Sequence, residues 1–111
     1  MTVQLKVLVP AKTVEATQTT QYTATNLTAV IDKFTATNYS ATAATISVNL
    51  VTTAGSAGDG NLITKTKTLQ PSEVYAFYEL VGHVLNPGDF ISTIAGTASA
   101  INMRVSGREV S

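Results

Sequence analysis

The sequence predicts an all-β domain, and three observations carry that expectation. Nineteen of the 111 residues are Thr, many of them at every second position. Alternation of hydroxyl and apolar side chains is the signature of a half-buried strand, because successive residues on a pleated strand face opposite ways. Charged residues make up only 13 % of the chain, about half the usual ~25 %. Turn-forming residues interrupt the alternating runs at short intervals.

The first run, Val3 to Val9, sets Val3, Leu5, Val7 and Val9 on one face, with Gln4 and Lys6 opposite and Pro10 closing it. It reads as a short strand, or as an extended arm covering residues 1–10. A second β segment, from about Val14 to Thr25, offers Val14, Ala16, Tyr22 and Ala24 as inward residues. Its weak apolar content suits a sheet edge. From Leu27 to Asn38, Val30, Phe34 and Ala36 share a parity, and the charged pair Asp32-Lys33 predicts an irregularity in mid-strand.

Asn38 to Ala41 supplies turn chemistry before a strong strand in which Ile46, Val48 and Leu50 alternate with Ser47, Asn49 and Val51. This strand is expected at the centre of a sheet. Thr53 to Asn61, with three glycines, is the clearest loop. Leu62 to Leu69 is the next strand, ended by Gln70-Pro71-Ser72-Glu73, where the proline pre-sets φ. Val74 to Tyr78 follows.

Leu80, Val81, Val84 and Leu85 have helical spacing, so Glu79 to Leu85 is the one candidate for a helical turn, weakened by Gly82 and stopped by Asn86-Pro87-Gly88-Asp89. Phe90 to Ala95 and Ala100 to Arg108 complete about eight or nine short strands, a spacing found in sandwiches, jelly rolls and barrels. One domain accounts for the whole length.

Seven basic residues balance seven acidic ones. That balance gives no long-range field for nucleic acid or an anionic membrane, so neither is an expected partner. No run approaches the ~20 apolar residues of a membrane span, and the amino terminus lacks the layout of a secretory signal. A protein made and used without export is expected. Asn26-Leu27-Thr28 and Asn38-Tyr39-Ser40 match the glycosylation sequon, as a Thr-rich chain does by chance.

The composition also limits chemistry. There is no cysteine, which excludes disulfides and thiolate ligands, and a single histidine, His83, which excludes sites built on two imidazoles. Asp59 in Gly58-Asp59-Gly60-Asn61 lacks the recurring acidic ligands of a calcium loop. Asp32, Glu73, Glu79 and Asp89 could make a glycosidase pair only by accident of folding. Lys65 with Lys67, and Arg104 with Arg108, read as solvated strand faces or as guards against edge pairing. The expectation is no enzyme, no catalytic residue, no cofactor and no metal.

Tyr75, Phe77 and Tyr78 form the densest aromatic group. Tyr75 and Phe77 are expected toward the core, with Tyr78 at its margin or in a protein interface; the competing reading is a carbohydrate-binding face.

The cadence Ala29-Val30-Ile31-Asp32-Lys33-Phe34-Thr35-Ala36-Thr37-Asn38, then Ile46 to Val51, Glu79 to Asp89, Ala95 to Ala100 and Val105 to Glu109 resembles that of tailed-phage capsid decoration proteins. The kind it is most similar to is the cement or staple protein of epsilon-fifteen-type short-tailed phages. The resemblance implies a jelly-roll-like antiparallel sandwich of about eight strands, made in the cytoplasm of a bacterial host and displayed on the outer capsid surface of the virion. It implies the major capsid protein as partner and self-association as a homodimer. Capsid-contact candidates are Val3, Leu5, Val7 and Val9 on the first strand, with Tyr75 and Tyr78. A carbohydrate-binding module on a virion and a neck or tail joining protein are the alternatives.

Overall fold

In the computed structural model, which describes residues 1–111, nine strands form two antiparallel sheets packed face to face. They are β1 (Val3–Thr13), β2 (Thr19–Thr23), β3 (Thr28–Asn38), β4 (Ala44–Val51), β5 (Leu62–Leu69), β6 (Val74–Ala76), β7 (Val84–Leu85), β8 (Phe90–Ala95) and β9 (Ile101–Val110). One sheet runs β1-β9-β3-β6, with β7 also paired to β3; the other runs β2-β8-β4-β5. First and last strands are neighbours, and the chain crosses between sheets at every link except β4–β5 and β6–β7. This is the jelly-roll order, two Greek keys wound on one core.

Strands β5 and β8 have the bounds that alternation assigns. β4 lies between β8 and β5, and the hydroxyl-rich β2 lies at an edge. The second segment is shorter than expected, since only Thr19–Thr23 is strand. Val14 and Ala24 are buried, but Ala16 is exposed.

Residues 1–10 are not a free arm. β1 pairs with β9 along its whole length, from Val3↔Val110 to Thr13↔Asn102, because the alternating run completes a ladder that would otherwise end at β9. The shared face of Val3, Leu5, Val7 and Val9 also fails to hold. Register shifts after Val7 and after Val9 reverse the alternation, so Leu8 and Val9 are both buried while Val3, Leu5 and Val7 face solvent.

A second bulge, between Ile31 and Lys33, is the irregularity expected near Asp32. Before it Ala29 and Ile31 point inward; after it Phe34, Ala36 and Asn38 do. Val30, expected beside Phe34, therefore lies on the outer face. The segment from Glu79 to Leu85 is not helical. It folds as linked turns in which the amides of Leu80, Val81 and His83 donate to the carbonyls of Phe77, Tyr78 and Leu80. Gly82 takes φ +87° there, ending any helical path. The single 3-10 turn is Asp59–Asn61, inside the glycine-rich loop.

The core is continuous between the sheets, with Phe34, Phe77, Ile31, Ile46, Leu80 and Ile91 fully buried. Phe34 and Phe77 pack with ring centroids 4.6 Å apart. At one corner the fully buried Asn38 side chain donates to the carbonyls of Thr42 and Leu69, both at 2.9 Å, and accepts from the amide and hydroxyl of Ser40. It thereby ties the β3–β4 turn to the end of β5.

Candidate assembly surface

Cross-strand pairing settles which residues share the outer face of the five-stranded sheet. Ala29 and Ile31 point inward, and their partners Glu109 and Gly107 do likewise, as do Gln4 and Lys6 beyond them. The outward set is therefore Val3, Leu5 and Val7 on β1, Ser106, Arg108 and Val110 on β9, Thr28 and Val30 on β3, and Val84 on β7. Leu5 is 80 % exposed, Val84 54 % and Val3 53 %, so an apolar stripe lies uncovered across four strands. It is crossed by one ion pair. Arg108 donates from Nε and Nη2 to the two carboxylate oxygens of Asp32, with a shortest distance of 2.9 Å. A shallow groove lined by Leu5, Val7, Asp32 and Ser106 lies beside that pair.

Past the two bulges the same face turns polar. Thr35, Thr37, Asn102 and Arg104 line a second groove there, and Thr13 donates to Asn102 Oδ1 at 3.0 Å.

The backbone of β1 adds a second feature. The amides of Thr2 and Ser111 each donate to the other's carbonyl, at 2.7 and 2.9 Å, which makes them a hydrogen-bonded pair. Alternation along an antiparallel ladder then assigns Gln4↔Glu109 and Lys6↔Gly107 to hydrogen-bonded positions as well. The amides and carbonyls of Val3, Leu5 and Val7 consequently turn away from β9, toward the open edge.

The aromatic group lies at the far edge of this sheet, on and after β6. Phe77 is fully buried, Tyr75 is half-buried against the core, and Tyr78 is 78 % exposed. Tyr75 donates to Glu79 Oε1 at 2.9 Å, Thr64 donates to Oε2 at 2.5 Å, and the Lys67 ammonium sits 4.6 Å from the Tyr75 ring centre. Burial acts to raise the Glu79 pKa, but the bonds from Thr64 and Tyr75 and the charge of Lys67 outweigh it and hold the carboxyl below its ordinary value. The Tyr75 phenol is raised by the same bond to Glu79 and by burial. The Tyr75 and Tyr78 rings stand at 89° to each other, so the two together do not form one flat stacking platform.

Of the six contact candidates, Val3, Leu5 and Val7 fall together on the outer face; Val9 is in the core, and Tyr75 and Tyr78 lie across the sheet. Val30, Val84, Val110 and the Arg108–Asp32 pair belong to the surface and were not singled out for it by the sequence. The only hint was the shared parity of apolar residues around the Asp32 irregularity. The four carboxylates weighed as an acid–base pair are each bound locally. Asp32 takes Arg108, Glu73 the Gln70 amide, Glu79 the Thr64 and Tyr75 hydroxyls, and Asp89 the amides of Thr53 and Asn86. His83 and Asp59 are exposed.

No family model and no curated protein matches the chain. Among solved structures, the chain is similar to one from Bacillus endospore appendages, described as a novel family of disulfide-linked pili. The two superpose with a TM-score of 0.56 over 99 % of this chain and 88 % of that one, at 12 % identity. This likeness shows the fold, a jelly-roll sandwich.

Proposed function

We propose that this protein is a structural virion component that decorates and reinforces an icosahedral phage capsid, bridging major capsid subunits and contacting a second copy of itself. The observation that carries the reading is the uncovered apolar stripe of Val3, Leu5, Val7 and Val84, with half-buried Val30 between them, on the outer face of the five-stranded sheet. An apolar patch with one internally neutralised ion pair is desolvated at little cost when it meets another protein. The hydroxyl-coated remainder of the face supports the same role, since a neutral hydroxyl needs one good partner while a charge needs full compensation. Many copies making modest contacts stabilise an assembled shell by mass action without any chemistry. The site of action is the outer surface of the virion.

The test is particle stability. Particles lacking the protein release DNA at lower temperature than complete ones, and added wild-type protein restores resistance. Protein carrying Leu5→Asp and Val84→Asp fails to restore it. Equal heat resistance with and without the protein would remove the reading.

A filament subunit is the second reading, favoured by the likeness of fold to the endospore appendage pili. The linkage named for those pili has no counterpart here, because the chain has no cysteine. Electron microscopy of the concentrated protein separates the two, since a filament subunit polymerises alone and a decoration protein does not.

A further inference from the structure

We infer that the open edge of β1 is the seam between two copies of this chain, paired antiparallel about Leu5 so that two five-stranded sheets become one. This specifies the self-contact of the proposed function and rests on that reading only for its biological purpose.

The sandwich has four edges, and three are blunted. β6 is only three residues long, β2 is broken by a register shift between Thr20 and Tyr22, and β5 carries Lys65 and Lys67 beside a bulge in which Thr66 takes φ +43°. Short strands, lysines and bulges are the devices that keep edges from pairing. β1 differs. From Val3 to Val7 its ladder is regular, and the amides and carbonyls of Val3, Leu5 and Val7 point outward without partners from β9. The bulge after Val7 and the missing amide of Pro10 end the usable edge, leaving five residues.

All five of those residues pair with their counterparts in only one register. With the two-fold axis at Leu5, Val3 faces Val7 of the second copy, Leu5 faces Leu5, and Val7 faces Val3, each at a position whose amide and carbonyl are free. All of these side chains are apolar and lie on the outer face, where directly opposed pairs stabilise a ladder. On the inner face Gln4 meets Lys6 of the second copy, so no like charges oppose. The register displaced by one residue pair toward Val7 sets Lys6 against Lys6. Lys6 is already compensated by Glu109, 3.3 Å away.

Because strand addition uses backbone groups, the side chains remain available. Pairing doubles the apolar stripe into one strip centred on the axis.

The seam is tested on the isolated protein, so its failure is distinguishable from failure of capsid attachment. Light scattering on the eluted wild type is expected to give a dimer at concentrations on the order of 100 µM. In this cysteine-free chain, Leu5→Cys is expected to oxidise to a covalent dimer, since opposed hydrogen-bonded residues stand about 5.5 Å apart, within the ~4.4–6.8 Å a disulfide spans. Val3→Cys alone is expected not to cross-link, and the double variant Val3→Cys with Val7→Cys is expected to. Leu5→Pro removes an outward amide while sparing the β9 ladder, and the dimer fraction should fall roughly tenfold or more with circular dichroism unchanged. A wild type monomeric throughout, a Leu5→Cys variant that never cross-links, or Val3→Cys cross-linking as readily as Leu5→Cys would each overturn the seam. The first two outcomes leave β1 as acceptor for a different protein's strand.

Discussion

The phenol of Tyr22 donates a 2.5 Å hydrogen bond to Oε2 of Glu109, joining β2 of one sheet to β9 of the other, while Lys6 approaches Oε1 from β1. It is a polar clasp between layers otherwise held by apolar packing. Tyr22→Phe keeps the ring and loses the bond, leaving a half-buried carboxylate short of a donor. We expect a loss of about 1–2 kcal/mol, and roughly 5 °C in melting temperature per kcal/mol, measured by thermal denaturation.

The pH dependence follows from the carboxyls that gain partners on folding. Glu109 is held below its ordinary value of 4.5 by Tyr22 and then Lys6, Glu15 by Lys12 and Gln21, and Glu79 by its hydroxyl partners against burial. A depressed folded pKa gives stability that is full above the unfolded value and is lost as pH falls through the folded one. Melting temperature should therefore drop as pH falls below about 4.5. Tyr22, raised by burial and then by Glu109, and Tyr75 act in the opposite sense. Their contribution is full below pH 10 and declines as pH climbs past it, so Tyr22→Phe should flatten the alkaline limb of a melting-temperature profile.

Gly107 is required by close approach. A Cβ built there would lie 2.0 Å from the Val30 carbonyl oxygen and 2.9 Å from Leu8 Cδ1. Backbone cannot yield as a flexible side chain can. Gly107→Ala should cost about 3 kcal/mol or more, read as a lower urea midpoint.

Removing the Asn38 amide strands two carbonyls and the Ser40 donors in a buried corner. For Asn38→Ala the expected loss is about 2–4 kcal/mol, each unpaired buried group costing about 1–3 kcal/mol. Exchange protection at the Ser40 and Leu69 amides should fall more than at β9, because the network ties down that corner.

How far these features were legible depends on the distance over which each is decided. β5 and β8 could be bounded from alternation and flanking turns, since each is a continuous run with local punctuation. The inward parity of Val14, Tyr22 and Ala24 was equally local. The outward placement of Leu5 and Val30 was not, because a bulge of one residue inverts every side chain beyond it, and bulge positions follow from the partner strand. The linked turns after Phe77 mimic helical spacing because Leu80 and Leu85 must both reach the core. The assembly surface joins residues from both ends of the chain, Leu5 to Arg108 and Val30 to Val84, and no window on the sequence holds both partners. Its β1 members were nameable from the alternation of the first run, but their neighbours required the strand order.

The insertion of β9 between β1 and β3 has a kinetic consequence. Neither flanking strand can complete its ladder until roughly ninety further residues have followed β1 from the ribosome, so the nascent chain waits with β1 unpaired and β3 open on the side that β9 fills. Such a topology makes closure a late, long-range event, slow by the standards of small proteins. Its low charge then leaves the growing polypeptide dependent on its threonines to stay in solution.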